Sequence, residues 1–180
     1  IGGGHFRIVD FWERRIRRIL PALAAVVLVC LVAGWFLFLP RDFQKLGQSV
    51  AAQAMLLSNV YFWRESGYFD QAAEVKPLLH TWSLAVEEQF YLLFPFLILS
   101  FKRFSRNSIV APILLFSAAS FGLSVFCSYR YPSGNFYFLP TRAWELLMGS
   151  FLAAIPAQRS SSRWLMEPLS WGGFLAILGA

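Results

Sequence analysis

Apolar residues in this chain come in blocks separated by short charged stretches, rather than mixed with polar ones at helical or strand period. The longest block, 19–39, holds 21 residues without a charge. As a helix at roughly 1.5 Å per residue it is about 30 Å long, the thickness of a bilayer core, so it predicts one complete crossing. A second crossing is predicted over 78–101, although its first half carries His80, Glu87 and Glu88 and must therefore hide one end within protein. The third covers 108–128, and the fourth 138–155 with Arg142 and Glu145 inside it. A fifth starts at 169 and is cut short at 180. Only helices and closed barrels satisfy their backbone in lipid, and these blocks lack strict alternation, so the predicted fold class is an all-α, polytopic transmembrane helical bundle.

The stretch 46–63 is ambiguous: it has no charge, yet Gln48, Ser49, Gln53, Ser58 and Asn59 are spread through it. Loop charges arbitrate. If it does not span, the loops on the side of Arg7–Arg18, Lys102–Arg106 and Arg159–Arg163 hold ten Lys and Arg against five on the other side; if it spans, the split is eight against seven. The positive-inside bias favours an interfacial or re-entrant helix on the outer side, with the amino-terminal basic cluster in the cytoplasm.

Composition adds to this picture. Hydrophobic residues make up 57% and charged ones 14%, and the mean hydropathy is +0.53, far too apolar for a soluble domain of this size. The net charge of +6 fits loops facing anionic headgroups and does not call for nucleic acid. Cys30 and Cys127 lie in or beside apolar runs and are read as small buried hydrophobes; a disulfide framework or a metal site would need more Cys and His. With no initiator Met and an end inside an uncharged segment, the chain is expected to be a fragment.

Three constellations bear on chemistry. In 11–22, Arg14 with Arg17 and Arg15 with Arg18 form two overlapping pairs at i, i+3, each on one helical side. They suit bidentate phosphate binding, or alternatively a topogenic, headgroup-anchoring cluster. In 77–91, His80, Leu84, Glu87 and Tyr91 share one helical face with Glu88 at its flank, a stripe that is either functional or a structural ion-pair network, with Arg142 as a candidate partner. In 137–149, Arg142 and Glu145 at i, i+3 either pair within the helix or reach a substrate. His5 has no partner in sequence, the glycine triplet before it lacks a P-loop's Lys-Ser/Thr, and no Gly-x-Ser-x-Gly elbow is present.

Taken together, these blocks resemble the acyltransferase-3 family of bacterial membrane O-acyltransferases. The resemblance rests on Phe11-Trp12-x-Arg14-Arg15-x-Arg17-Arg18-Ile19-Leu20-Pro21-Ala22, then on Leu57-Ser58-Asn59-x-Tyr61-Phe62-Trp63 and Ser66-Gly67-Tyr68-Phe69-Asp70. It continues through the 78–91 stretch His80-Thr81-Trp82-Ser83-Leu84-x-Val86-Glu87-Glu88-Gln89-Phe90-Tyr91 and 139–146, in that order. It implies an enzyme of the bacterial inner membrane that takes acetyl from acetyl-CoA, or acyl from a related acyl-CoA, at the cytoplasmic face. The acceptor is a hydroxyl of a cell-surface polysaccharide, lipopolysaccharide or peptidoglycan, and no bound cofactor is implied. It also implies that an Arg-x-x-Arg pair engages the donor, with Arg15 and Arg18 aligning best; on the enzyme reading, the ionisable residues His80, Glu87, Glu88, Arg142 and Glu145 are expected to line a buried polar route. The family's proposed catalytic His lies on an amino-terminal helix, which the resemblance places upstream of residue 1; His5 does not replace it, so the resemblance implies a fragment inactive alone. Residues 66–70 and 72–77 resemble most the subgroup whose membrane part precedes an SGNH domain. The competing reading is a transporter or flippase using the same buried residues as a substrate path, which inverted repeats would favour; the sequence contains none.

Overall fold

The computed structural model describes residues 8–66, 76–101, 107–154, 171–172 and 174. Seven helices follow one another: α1 (Ile8–Leu37), α2 (Pro40–Ala54), α3 (Ser58–Glu65), α4 (Thr81–Phe101), α5 (Asn107–Arg130), α6 (Pro132–Tyr137) and α7 (Leu139–Ala154). No strand occurs among the described residues, so the chain is an all-α membrane protein. His5, most of the predicted fifth crossing, residues 67–70 and 72–75, and the basic loops 102–106 and 159–163 lie outside the described residues.

Two helices, Ile8–Leu37 and the Val110–Arg130 part of α5, are long and apolar enough to cross a bilayer. In α1 the residues Val26, Leu28, Val29, Val32, Trp35 and Phe36 are all exposed, an apolar surface that needs apolar surroundings. Asp10 in the first turn of α1 and Asp42 in that of α2 complement the positive helix N-termini. The junction between them follows from Pro40: it forces Leu39 into extended backbone (ψ 154°) and then serves as the first residue of α2. The chain thus turns back beside α1, where Gly34 admits the side chain of Leu46; a Cβ at Gly34 would lie 2.8 Å from Leu46 Cδ2.

The ambiguous stretch 46–63 is neither one crossing helix nor a simple surface helix. It is a hairpin of α2 and α3, broken at 55–57. Leu56 has φ 58°, and Leu56 N donates to Gln53 O (3.0 Å) while Leu57 N donates to Ala52 O (2.7 Å). This is a Schellman cap with leucine where glycine is usual, at a cost of about 1–2 kcal/mol. Lys45 pairs with Glu65 (3.4 Å) and Tyr61 Oη donates to Lys45 O (3.2 Å), so α3 runs antiparallel to α2. Leu46, Phe62 and Leu78 form the core here.

Helix α4 descends antiparallel to α1. Pro95 within it cannot donate to Tyr91 O, and the indole Nε1 of Trp12 on α1 donates to that carbonyl instead (3.2 Å). Helices α5 and α7 form the second unit, joined by the short α6, with Phe90, Ile113 and Leu147 linking it to α4. Ser120 Oγ donates to Pro140 O (2.7 Å) and accepts from Trp144 N (3.0 Å), inserting itself into the backbone ladder of α7.

Candidate functional site

Helix geometry brings the start of α1 against the middle of α4. The guanidinium of Arg15 lies 3.2 Å (Nε) from Glu88 Oε1 and 3.5 Å (Nη2) from Glu87 Oε2, and its Cζ sits 3.1 Å from the ring centroid of Tyr91. Glu88 is one-fifth exposed and Glu87 nearly half. The cation is therefore held between two carboxylates and an aromatic face, which offsets the cost of placing these charges within the bundle. Glu88 stands seven residues into α4, about 10 Å along its axis, so the cluster is not at a helix end.

Next to it stands the α2–α3 break, tied down by side-chain amides. Gln89 Nε2 donates to Leu56 O (2.6 Å) and to Asn59 Oδ1 (3.0 Å), and Asn59 Nδ2 donates to Tyr137 O (3.1 Å). Ser58 Oγ lies 2.6 Å from Gln53 Oε1 and 2.9 Å from Thr81 O. Gln53, Ser58 and Asn59 are all buried. Irregular backbone at membrane depth is tolerated where protein satisfies its polar groups, and Gln89 does this for Leu56. The cluster and the break border a cleft of about 430 Å³ lined by Trp12, Arg15, Leu56, Glu88 and Tyr91 among others.

The residues expected along one polar route divide into two groups. Glu87 and Glu88 meet Arg15, not Arg142. Arg142 pairs instead with Glu145 (3.1 Å) and lies over the rings of Trp82 (5.1 Å) and Phe136 (5.7 Å), at the end of the bundle where α3, α6 and the start of α4 meet. His80 belongs to the turn before α4 and is exposed there, so it does not share the helical face of Glu87 and Tyr91. The Arg15–Arg18 pair also separates: Arg15 packs against α4, whereas Arg14, Arg17 and Arg18 are exposed and Arg17 pairs with Glu13 (2.7 Å). No His, Cys, Asp or Glu cluster fit for a metal occurs among the described residues.

Sequence reasoning passed over Gln53, Ser58, Asn59 and Gln89 as site residues. The signal was present, since amides within an uncharged run have to find partners, but only the fold reveals which carbonyls they reach.

The acyltransferase-3 profile, described as an acyltransferase domain, matches residues 3–180. An uncharacterized protein of Haemophilus influenzae is 40% identical over 155 residues, covering 82% of this chain and 63% of that protein. O-acetyltransferase OatA of Staphylococcus aureus is 36% identical over 154 residues, and peptidoglycan O-acetyltransferase OatA of Listeria monocytogenes 34% over 157. These cover 82% and 83% of this chain and 25% of each relative, so the chain spans about a quarter of the length of the OatA proteins. No solved structure matches it significantly. With its ordered arginine, carboxylate and amide blocks inside a match that runs almost end to end, the chain belongs to the acyltransferase-3 family of membrane proteins.

Proposed function

We propose that the protein containing this chain is a multi-pass O-acyltransferase of the bacterial inner membrane, moving an acyl group, chiefly acetyl, from cytoplasmic acyl-CoA to hydroxyls of a cell-surface glycan. The family match over residues 3–180 carries this reading, and the named activity of the Listeria relative favours peptidoglycan, ahead of other polysaccharides or lipopolysaccharide, as the acceptor. In the reaction the thioester C–S bond breaks and an ester C–O bond forms between the acyl carbon and the glycan oxygen. The hydroxyl proton passes to a general base, and the CoA thiolate leaves and takes up a proton to become the thiol.

The arginines divide the donor work. Arg14, Arg17 and Arg18, exposed at the start of α1, supply positive charge to the CoA phosphates. Arg15, clamped by Glu87 and Glu88, forms the charged wall of the cleft behind them. His80, Arg142 and Glu145 belong to the acceptor side. The test is substitution of Arg15 and Arg18 by Lys in the full-length protein, with glycan O-acyl content read by mass spectrometry at matched membrane abundance. Lysine keeps the charge and loses the guanidinium fork, so acetylation falls by about tenfold or more; unchanged acetylation refutes donor binding by this pair.

A further inference from the structure

At the end of the bundle that carries Arg142 and Glu145, a groove opens between the ends of α3 and α5 and the short α6. Trp63, Tyr131 and Phe138 wall it, and Ser133, Gly134 and Asn135 also line it. The Trp63 and Phe138 ring centroids are 4.9 Å apart, and Tyr131 is 62% exposed. Ser66 Oγ donates its one proton to Trp63 O (2.7 Å), so Ser133 Oγ, 3.0 Å away, donates to Ser66 and ties α6 to the end of α3. Trp63 Nε1 donates to no described residue and lies beside Gly134, where a Cβ would stand 3.9 Å from it. The backbone does not demand glycine there: φ is not positive, and the nearest contact of that Cβ would be an ordinary 3.5 Å to Phe138. The glycine leaves the indole N–H uncovered. Asn135 Oδ1 is buried without a hydrogen-bond partner among the described residues.

Aromatic walls beside uncommitted hydrogen-bonding groups are what a neutral sugar needs. A pyranose ring has a face of C–H groups, which the negative face of an aromatic ring attracts, and a rim of hydroxyls that want partners. Trp and Tyr also gather at bilayer interfaces as anchors, but an anchor turns its polar atoms to water, whereas Asn135 Oδ1 is shut away from it. A lipid phosphate would call for a cation, and no charged residue lines the groove. We propose that the groove is a sugar subsite for the glycan acceptor. One pyranose lays its C–H face on Tyr131 and Trp63, and Trp63 Nε1 donates to a hydroxyl or acetamido oxygen on its rim. Asn135 turns its carboxamide into the groove, a rotation its broad χ2 allows, and accepts from a neighbouring hydroxyl. The inference rests on the acyl-transfer reading for the identity of the glycan and adds where, and by which atoms, its ring is held.

The experiment uses the full-length protein in lipid nanodiscs, with a peptide-free peptidoglycan tetrasaccharide as the probe. Saturation-transfer NMR reads binding, and mass spectrometry after addition of acetyl-CoA reads ester formation and the apparent KM for the tetrasaccharide. Tyr131→Ala removes a stacking face at an exposed position and weakens binding about tenfold. Trp63→Phe keeps a ring against Phe138, removes the N–H, and weakens binding about fivefold. Gly134→Ala covers that N–H without a clash and weakens binding about threefold or more. Asn135→Ala weakens binding about fivefold without lowering the unfolding midpoint, because the group it removes has no partner to lose, a combination that a packing role would not give. The apparent KM rises by the same factors, as expected for lost binding. No saturation transfer from the unaltered protein, or affinities within twofold of it in all four variants, overturns the subsite. Ester formation with unchanged KM in the variants also overturns it and leaves the acyl-transfer reading standing. Binding that the variants weaken, with no ester formed by the unaltered protein, supports the subsite and overturns that reading instead.

Discussion

The two ends of the described chain solve the same problem, placing helices in an apolar setting, in opposite ways. Around α1, α2, α3 and α4 the packing is organised by amides and charges: a broken hairpin whose carbonyl is bonded by Gln89, and an arginine between two glutamates. Between α5 and α7 the contact is continuous and apolar, and its polar contribution comes from small hydroxyls such as Ser120, which bond backbone that is already helical. The first arrangement stores groups that can bind something; the second only holds helices together.

The largest effect expected from breaking this contrast is at Gln89. Gln89→Leu strips Leu56 O and Asn59 Oδ1 of their donor, leaving buried acceptors unpaired, and should cost about 2–4 kcal/mol by the penalty for two such groups. Unfolding of the full-length protein in detergent measures it, and a loss below that of Ser120→Ala would show that the break is not held by this amide. Next comes Arg15→Met, which leaves Glu88, only one-fifth exposed, without its cation. It should depress acetylation more than Arg142→Met, whose partner Glu145 is 44% exposed and so regains water. Equal losses from the two would erase the distinction between the clusters.

A smaller effect is expected from Trp12→Phe, which keeps the ring and removes the donor to Tyr91 O below Pro95. A loss of about 1 kcal/mol is the expected figure, seen as a lower unfolding midpoint. Ser120→Ala is the mildest change, about 0.6 kcal/mol by the average for interhelical hydrogen bonds within membranes. Topology is checked independently by reporters at Ser66 and Ser105 in the full-length protein: opposite sides are expected, and the same side for both would refute the crossing predicted over 78–101.

Run length and charge were enough to read the helical class and the two helices long and apolar enough to cross, over 19–37 and most of 108–128, because a bilayer demands long uncharged segments and writes that demand directly into composition. The start of α4 was placed three residues early, at Leu78, since the turn 77–80 is as apolar as the helix it precedes. The site was legible only in part. Arg15, Glu87 and Glu88 stood out as charges within apolar surroundings, but a helical wheel cannot pair residues on different helices, so Arg142 was offered as the partner that Arg15 turned out to be.

What the sequence determined alone is therefore the medium and the inventory: a membrane protein whose few charged and amide residues are confined to a small number of blocks. What only the tertiary structure decided is which of these meet. The break at 55–57 carries no glycine or proline to announce it, and its geometry comes from Gln89, thirty-three residues away, bonding Leu56 O. Long-range hydrogen bonds to backbone leave no periodic trace in a sequence, whereas the free energy of leaving a carbonyl unpaired in an apolar interior makes them decisive once the chain has folded.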